Sequence, residues 1–588
     1  MVFFYRLYNN RFKYKGKMIM TVNTPWLKFY DGVPHNLEYP DFSMVQQLFT
    51  AVHKYPNLAA YDFFGCKKTF SEFRAEIEAC ARGLLACGIK KADRVTVCMP
   101  NTPQAIIMIY ALNLIGSVAN MVHPLSAEEE LVSYINDSES VAVLTLDQFA
   151  QKLKTIIPRT NVKFLILAGI EDGLAGIKKT LYKLTKGRKI VRLPTEGIII
   201  RFTDLIKKGQ TYTFDIDAKM KGDDVAAILY SGGTSGTTKG ILLTNLNFNA
   251  LALQTEAAGD CVIPGHIMLA VMPVFHGFGL GVCIHTALTA GATALLIPQF
   301  SLEAYVKILK NQKPHYIAGV PTLYEAMLRH PKISKIDMSQ LEGIFCGGDS
   351  LSIELKRKVD TLLKNNGSTE QVREGYGMTE SVTASCLTPK KFHKEGSIGI
   401  PYPDMHFKIV RIGTQETMPY GEEGELVVSG PTVMKSYNNN EEETKQALQT
   451  HTDGKIWLHT GDLGSMDEDG FVYFRQRIKR MIVSSGYSIF PTQLENAIES
   501  HEDVLISCVI GIPDDYKMQR LKAFIALRDN KEATDEIKMS IYEHCKKSIA
   551  KYAMPSEFEY RNELPKTLVG KVAFLELEKE ELEKLKGN

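Results

Sequence analysis

The chain has 588 residues, 45% hydrophobic and 23% charged, ordinary globular proportions that exclude a disordered, collagenous or disulfide-dense class. That length is about four times a 150-residue unit, so several cores are expected. Lys and Arg number 69 against 67 Asp and Glu, and a formal charge of +2 gives no whole-chain electrostatic footprint for nucleic acid.

Residues 1–20 mix aromatics with Arg, Asn and Lys and lack the continuous apolar core of a secretion signal. Met18 and Met20 leave two readings of this leader open, a start-site artefact or a disordered tail. The ten cysteines are scattered singly with no CxxC pair, which suits buried thiols in a reducing compartment; the cytoplasm is the expected location. From residue 61 to 146, apolar strands (94–99, 141–144) alternate with helical patterns (71–85, 103–114), the signature of a parallel sheet covered on both faces. Strands at 226–230, 267–272, 294–297 and 316–319 predict a second unit of the same design. From 396 to 474, short strands broken by Gly, Asp and Pro predict a β-rich subdomain. After Arg480 a smaller α+β unit is expected, with helices 491–500 and 535–551 and strands 504–510 and 522–527. The expected division is leader 1–20, a large N-terminal domain 21–478 and a small mobile C-terminal domain 479–588.

Two stretches require a membrane test. Residues 105–122 are uncharged, but Asn113, Ser117 and Asn120 interrupt them, which favours a buried helix. Residues 261–301 carry no Asp, Glu, Lys or Arg, yet Pro and Gly cut them into pieces too short to span, so they are expected at the centre of a large domain. Residues 174–192 place Leu174, Ile177, Leu181 and Leu184 at helical spacing among seven basic side chains. Such a helix is either a solvated surface element or one that lies on an anionic membrane.

The strongest local signal runs from Tyr230 to Gly240. Gly232, Gly233 and Gly236 free the backbone, while Ser231, Thr234, Ser235, Thr237, Thr238 and Lys239 supply donors for phosphate oxygens. It is not a Walker loop, because Thr238 precedes the lysine and Gly240 follows it. Residues 241–243 read as a strand, so no helix N-terminus waits directly behind. A flexible linker is disfavoured by the apolar strand on each side.

With these residues in place, the sequence resembles the adenylate-forming superfamily of acyl-CoA synthetases, aryl-CoA ligases, luciferases and adenylation domains, over roughly residues 57–572. The motif Gly375-Tyr-Gly-Met-Thr-Glu380 resembles the family's second nucleotide motif. The resemblance implies that Tyr376 stacks on adenine, Thr379 contacts the α-phosphate and carboxylate oxygens, and Glu380 holds Mg2+; an aromatic face, a hydroxyl and a hard oxygen ligand suit those tasks. It further implies ribose binding by Asp462 and Arg477, a hinge at Lys479, a thiol tunnel lined by Gly486, and a closing catalytic loop, 564–571, that presents Lys571. An acyl pocket is implied around Phe275, His276, Phe278, Val320, Cys346, Gly347 and Gly348, with His276 gating the space between acid and thiol. Three departures stand out: Gln476 where Gly is usual, Val483 where Lys is frequent, and Val572 where Arg often follows. No Asp lies in 271–280, where amino-acid-activating relatives place one, so an uncharged organic acid is favoured.

The resulting expectation is a ligase that uses ATP and Mg2+ to activate a small-molecule carboxylic acid, a fatty acid first, and passes the acyl group to coenzyme A. Aryl or steroid-like acids, or a carrier-protein acceptor, are the nearer alternatives. A phosphoryl-transferring NTPase would release ADP instead, and a non-enzymatic nucleotide scaffold is disfavoured by the full set of reactive residues. No nucleic-acid partner is expected, and peripheral membrane contact is left to the basic helix.

Overall fold

The structure, a computed structural model, describes residues 23–213, 215–231, 238–259, 262–484, 487–514, 517–528, 531–567 and 571–587. The expected leader, residues 232–237 of the phosphate loop and the expected tunnel residue Gly486 lie outside the described residues.

Local sequence sets the helix ends. The helix Phe70–Ala86 opens on a capping box: the Thr69 hydroxyl accepts from the Glu72 N–H, and the Glu72 carboxylate accepts from the Thr69 N–H. Its Phe73, Ile77, Cys80 and Leu84 fall on one buried face. The helix Pro103–Leu114 begins where Thr102 caps it and Pro103 occupies its first turn, and every one of its residues is buried. It is therefore a core helix, and among the described residues no helix is long and apolar enough to cross a membrane. The charge-free stretch becomes the strand Ile267–Ala270, a wide π-type helical segment Phe278–Thr286 and the strand Thr293–Leu296, all within the core. The nine described cysteines are free, seven of them buried.

Two large sheets form the N-terminal part, but the chain does not build them one after the other. The first runs Ser436–Tyr437, Lys239–Thr244, Val225–Ser231, Val118–Met121, Arg94–Cys98, Ala142–Leu146, Phe164–Ala168 and Ile199–Arg201. The second begins with the short strands Ile400–Pro401 and Cys386–Leu387, continues through Val372–Tyr376, Gly343–Cys346, Tyr316–Gly319, Ile267–Ala270 and Thr293–Leu296, and ends on the hairpin Ala59–Phe63 and Cys66–Thr69. The expected two sequential units are thus corrected. The early hairpin joins the later sheet, and the strand at 225–231 joins the earlier one. Alternating strands and helices establish a covered parallel sheet but carry no information about which strand is a neighbour in space. One continuous core links both sheets through helices that pack on Met44–Lys54.

The β-rich region forms a five-stranded antiparallel sheet around the long strand Ile456–Met466. Beyond it, Val504–Asp514, Met518–Leu527 and Glu557–Arg561 form a three-stranded sheet with the helices Pro491–Glu499 and Asp535–Ser548, around cores of their own. The basic amphipathic pattern yields a helix only over Gly176–Leu184, followed by a 3-10 turn at Lys186–Lys189.

One core histidine makes stability depend on pH. His285 is fully buried, with Tyr110 Oη 3.0 Å from Nδ1 and Asn249 Oδ1 3.1 Å from Nε2. A neutral ring satisfies both partners, with Tyr110 donating to Nδ1 and Nε2–H donating to Asn249. Burial pushes the imidazole down to about 3. The unfolded ring titrates near 6.5, so this stabilisation is complete above that pH and is lost as pH falls toward 3. At pH 4.5 the loss is about 3 kcal/mol. Denaturant midpoints measured from pH 7 to 4.5 should fall less steeply, by about one proton, in His285→Gln than in the wild type; equal slopes would assign the acid sensitivity elsewhere.

Candidate active site

The two nucleotide motifs meet through side chains carried on neighbouring strands. The strand Val372–Tyr376 delivers Tyr376, and the paired strands Ile456–Met466 and Val472–Arg477 set Asp462 opposite Arg477. Tyr376 Oη donates to Asp462 Oδ2 at 2.6 Å, and Arg477 Nε lies 2.9 Å from Asp462 Oδ1 as an ion pair without hydrogen-bond alignment. Burial raises the Asp462 carboxyl, opposed by the Arg477 charge and the Tyr376 hydroxyl. The Arg477 side chain keeps 43% exposure, so solvent screens part of this attraction. The Thr460-Gly461-Asp462 sequence forms a kink within a long strand. Pairing with Gly424–Ser429 shifts register between Glu425 and Val427, and Gly461 takes φ +68°, a conformation open to glycine.

Thr379 and Glu380 follow Tyr376 in a 3-10 turn, both buried. Gly377 has no room for a side chain, since a Cβ there would lie 2.0 Å from the Thr383 carbonyl oxygen. Tyr437 Oη donates to Glu380 Oε1 at 3.0 Å, and burial holds the Glu380 carboxyl above the usual range. A divalent cation would relieve that penalty, and an oxygen ligand suits Mg2+. Among the described residues no three His, Cys, Asp or Glu side chains converge as a metal cage, so Mg2+ here fits one carboxylate plus substrate phosphates.

Of the phosphate loop, Ser231 and Lys239 lie on facing strands, and Thr238 immediately precedes the second. Lys239 makes an ion pair with Glu443 and stands 5.0 Å from the centre of the Tyr437 ring. Burial and the nearby Lys479 pull its ammonium below the ordinary lysine value, against the attraction of Glu380. Lys239 thus reaches the Glu380 side of the site, held by a partner that bound phosphate would have to displace.

The expected acyl-side residues converge from three strand ends. Cys346 ends the strand Gly343–Cys346 and Gly347 and Gly348 follow it, Val320 follows Tyr316–Gly319, and Phe275, His276 and Phe278 lie beyond Ile267–Ala270. Gly348 has φ +81°, and a Cβ there would meet Val320 Cγ1 at 3.4 Å. The Phe278 N–H donates to His276 Nδ1 at 3.1 Å. Burial, with a smaller contribution from the Lys571 charge, pushes His276 down to about 4, so it is neutral near pH 7. Phe275 packs on His123, ring centres 4.3 Å apart.

Lys571 completes the cluster from the far end of the chain. Its N–H donates to Thr567 Oγ1 at 3.1 Å, while the Thr567 N–H donates to its carbonyl at 2.7 Å. Burial lowers its ammonium, Asp349 and Asp462 raise it, and Arg477 lowers it further. Nucleotide-motif, acyl-side and C-terminal residues therefore share one electrostatic environment. Lys479 is exposed in the 3-10 turn Ile478–Arg480, between the five-stranded sheet and the C-terminal hairpin at 482–489.

Comparison with known proteins identifies the family. The family model for AMP-binding enzyme matches residues 48–438, and that for AMP-binding enzyme C-terminal domain matches 493–571. The chain belongs to the AMP-binding enzyme family. A long-chain-fatty-acid–CoA ligase of Bacillus subtilis (strain 168) is 33% identical over 96% of this chain and 99% of its own length. One from Yersinia pestis is 31% identical over 95% and 98%. The ATP-bound crystal structure of MatB from Rhodopseudomonas palustris superposes with a TM-score of 0.79 at 23% identity, covering 92% of this chain and 99% of that one, a likeness of fold. By family and full-length relatives, the chain is an acyl-CoA synthetase.

Several site residues of this AMP-binding enzyme escaped the sequence reading. Glu425 fixes the kinked strand: Oε1 accepts from the Gly461 N–H at 3.0 Å, and Oε2 lies 2.9 Å from His459 Nδ1. Tyr437 and Glu443 supply the partners of Glu380 and Lys239, and the Asp349 charge raises the Lys571 ammonium against its burial. Gln476, one of the departures, is buried with both ends of its amide lacking a partner among the described residues, and nothing in the structure explains it.

Proposed function

We propose that this acyl-CoA synthetase activates a fatty acid. The acid's carboxylate oxygen attacks the α-phosphorus of ATP, the bond to the β-phosphate oxygen breaks, and pyrophosphate leaves acyl-AMP. The coenzyme A thiol then loses its proton and attacks the acyl carbon, and AMP departs with the former carboxylate oxygen. What supports this reading is that buried Lys571 shares its electrostatic surroundings with Asp462, Arg477 and His276, as a cation acting on the charge that develops in the first step would.

In this reading Tyr376 stacks on adenine, Asp462 and Arg477 hold the ribose, and Thr379 with the 231–239 loop orients the phosphates. Glu380 is the residue that would hold Mg2+, which neutralises phosphate charge when bound. Neutral His276 separates the acid and thiol sides without adding a charge. Residues 479–588 act as a mobile domain turning about Lys479, so that Lys571 serves the first step and Gly486 the second. A cleft of about 550 Å3 lies between the helices Pro321–Arg329 and Ile353–Asn365 and the C-terminal Leu505 and Arg528, which leaves space for such movement.

An apolar acid is supported by buried Val274, Phe278, Val320 and Cys346, by the absence of Asp from 271–280, and by the long-chain fatty acids for which the full-length relatives are named. Free buried thiols support a cytoplasmic location. The test is a panel of fatty, aryl and steroid-like acids read by hydroxamate trapping, with and without coenzyme A, and with AMP and ADP quantified. The expected result is trapping strongest with fatty acids, AMP as the nucleotide product, and thioester only when coenzyme A is present. Preference for aryl acids would replace the substrate assignment, transfer to a carrier protein alone would replace the acceptor, and ADP would overturn the reaction.

A further inference from the structure

The basic amphipathic segment has no part in the reaction above. It is fastened at both ends: Leu174 is buried, and Arg192 pairs with the buried carboxylates of Glu171 and Asp147. Midway, Lys178 Nζ donates to the Phe64 carbonyl at 2.8 Å, and Tyr182 packs half-buried on the core. What remains faces outward. Ile177, Leu181 and Leu184, one helical stripe at i, i+4 and i+7, are 87%, 58% and 69% exposed, and Val191 is 80% exposed. Phe64, at the tip of the adjoining hairpin, is a further large exposed apolar side chain.

Charge accompanies this stripe. Residues 176–192 carry seven Lys and Arg and no Asp or Glu. Among the described residues, Lys183, Lys186, Arg188 and Lys189 have no carboxylate within ion-pair distance, although the whole chain is nearly neutral. Uncovered aliphatic side chains beside unpaired cations are unfavourable in water and favourable at the boundary between anionic headgroups and acyl chains. The other occupants fit poorly. A second copy would bring like charges together, and the leader 1–20 has five basic residues and no acidic one.

We propose that the outward face of residues 176–191 docks the protein on an anionic lipid bilayer, with the Ile177, Leu181, Leu184 and Val191 side chains entering the acyl boundary and the surrounding cations on lipid phosphates. The inference does not depend on which acid the enzyme takes, and its test contains no substrate. The full-length protein is sedimented with phosphatidylcholine vesicles with and without phosphatidylglycerol, beside the surface variants I177S/L181S/L184S and K183E/K186E. The wild type should partition onto the anionic vesicles, with both variants keeping its melting temperature. The charge-reversed variant should lose at least roughly 30-fold in partitioning, about a factor of five for each lysine removed, with the two added carboxylates repelled further by the anionic surface. The serine variant should lose about tenfold or more. Failure of the wild type to bind anionic vesicles overturns the proposal, as does equal binding by either variant. A concentration-dependent dimer abolished by I177S/L181S/L184S, without vesicle binding, would assign the face to a second copy instead. Retention on a soluble polyanion that survives the serine substitutions, again without vesicle binding, would assign it to an acidic partner.

Discussion

Lys571→Ala is expected to lower ATP–pyrophosphate exchange by about 100- to 1000-fold, the usual size of losing one charge aimed at a transition state. Thioester formation from supplied acyl-AMP should change only a few-fold, because in the proposed second geometry this lysine has left the nucleotide. The split separates a catalytic cation from a structural one: a folding defect injures both half-reactions together. Lys571→Arg should recover part of the first step. The ammonium is held below the ordinary lysine value by burial, with Asp349 opposing. Charge on the side chain is therefore lost earlier as pH rises, and the exchange reaction should show an alkaline decline that begins below the lysine range and is absent from thioester formation. Normal exchange in the alanine variant would remove Lys571 from the reaction.

Lys479→Pro should produce the opposite selectivity. The residue lies exposed in a three-residue turn that joins two sheets, and proline fixes its φ while narrowing the choices of Ile478. Acyl-AMP formation should stay within a few-fold of wild type, and transfer to coenzyme A should fall by about tenfold or more, as expected where a hinge limits the step. Both half-reactions are to be measured on protein with an unchanged melting profile. Equal loss of the two, with the fold intact, would count against rotation about this point.

The local half of the structure was open to sequence reading because short-range chemistry fixes it. The 103–114 helix was read to both ends, since Thr102 and Pro103 mark its start. The strand expected at 267–272 ends at Ala270, shortly before Pro273. Where several preferences compete, the reading overran: the basic helix stops at Leu184 because Thr185, with ψ −96°, leaves helical geometry, and Gly187 follows. Long-range pairing was invisible. Nothing near residue 59 announces the strand at 293–296, and nothing near Glu380 announces Tyr437, 57 residues later. The same limit separates the site residues that motifs revealed, Tyr376, Asp462, Arg477 and Lys571, from Asp349, Glu425 and Glu443, whose meaning lies in what they touch.

The interleaving of the two large sheets has a consequence for biosynthesis. As the polypeptide emerges, the hairpin at 59–69 has no parallel neighbour until residues 293–296 are made. At 5–20 residues per second that interval lasts roughly 10–50 s. During it, an apolar strand with open amide and carbonyl groups is available to wrong partners, and Lys67 and Lys68 on its companion are the local charges that discourage them. Newly made chains should therefore depend on chaperone protection until the ribosome is past the middle of the message.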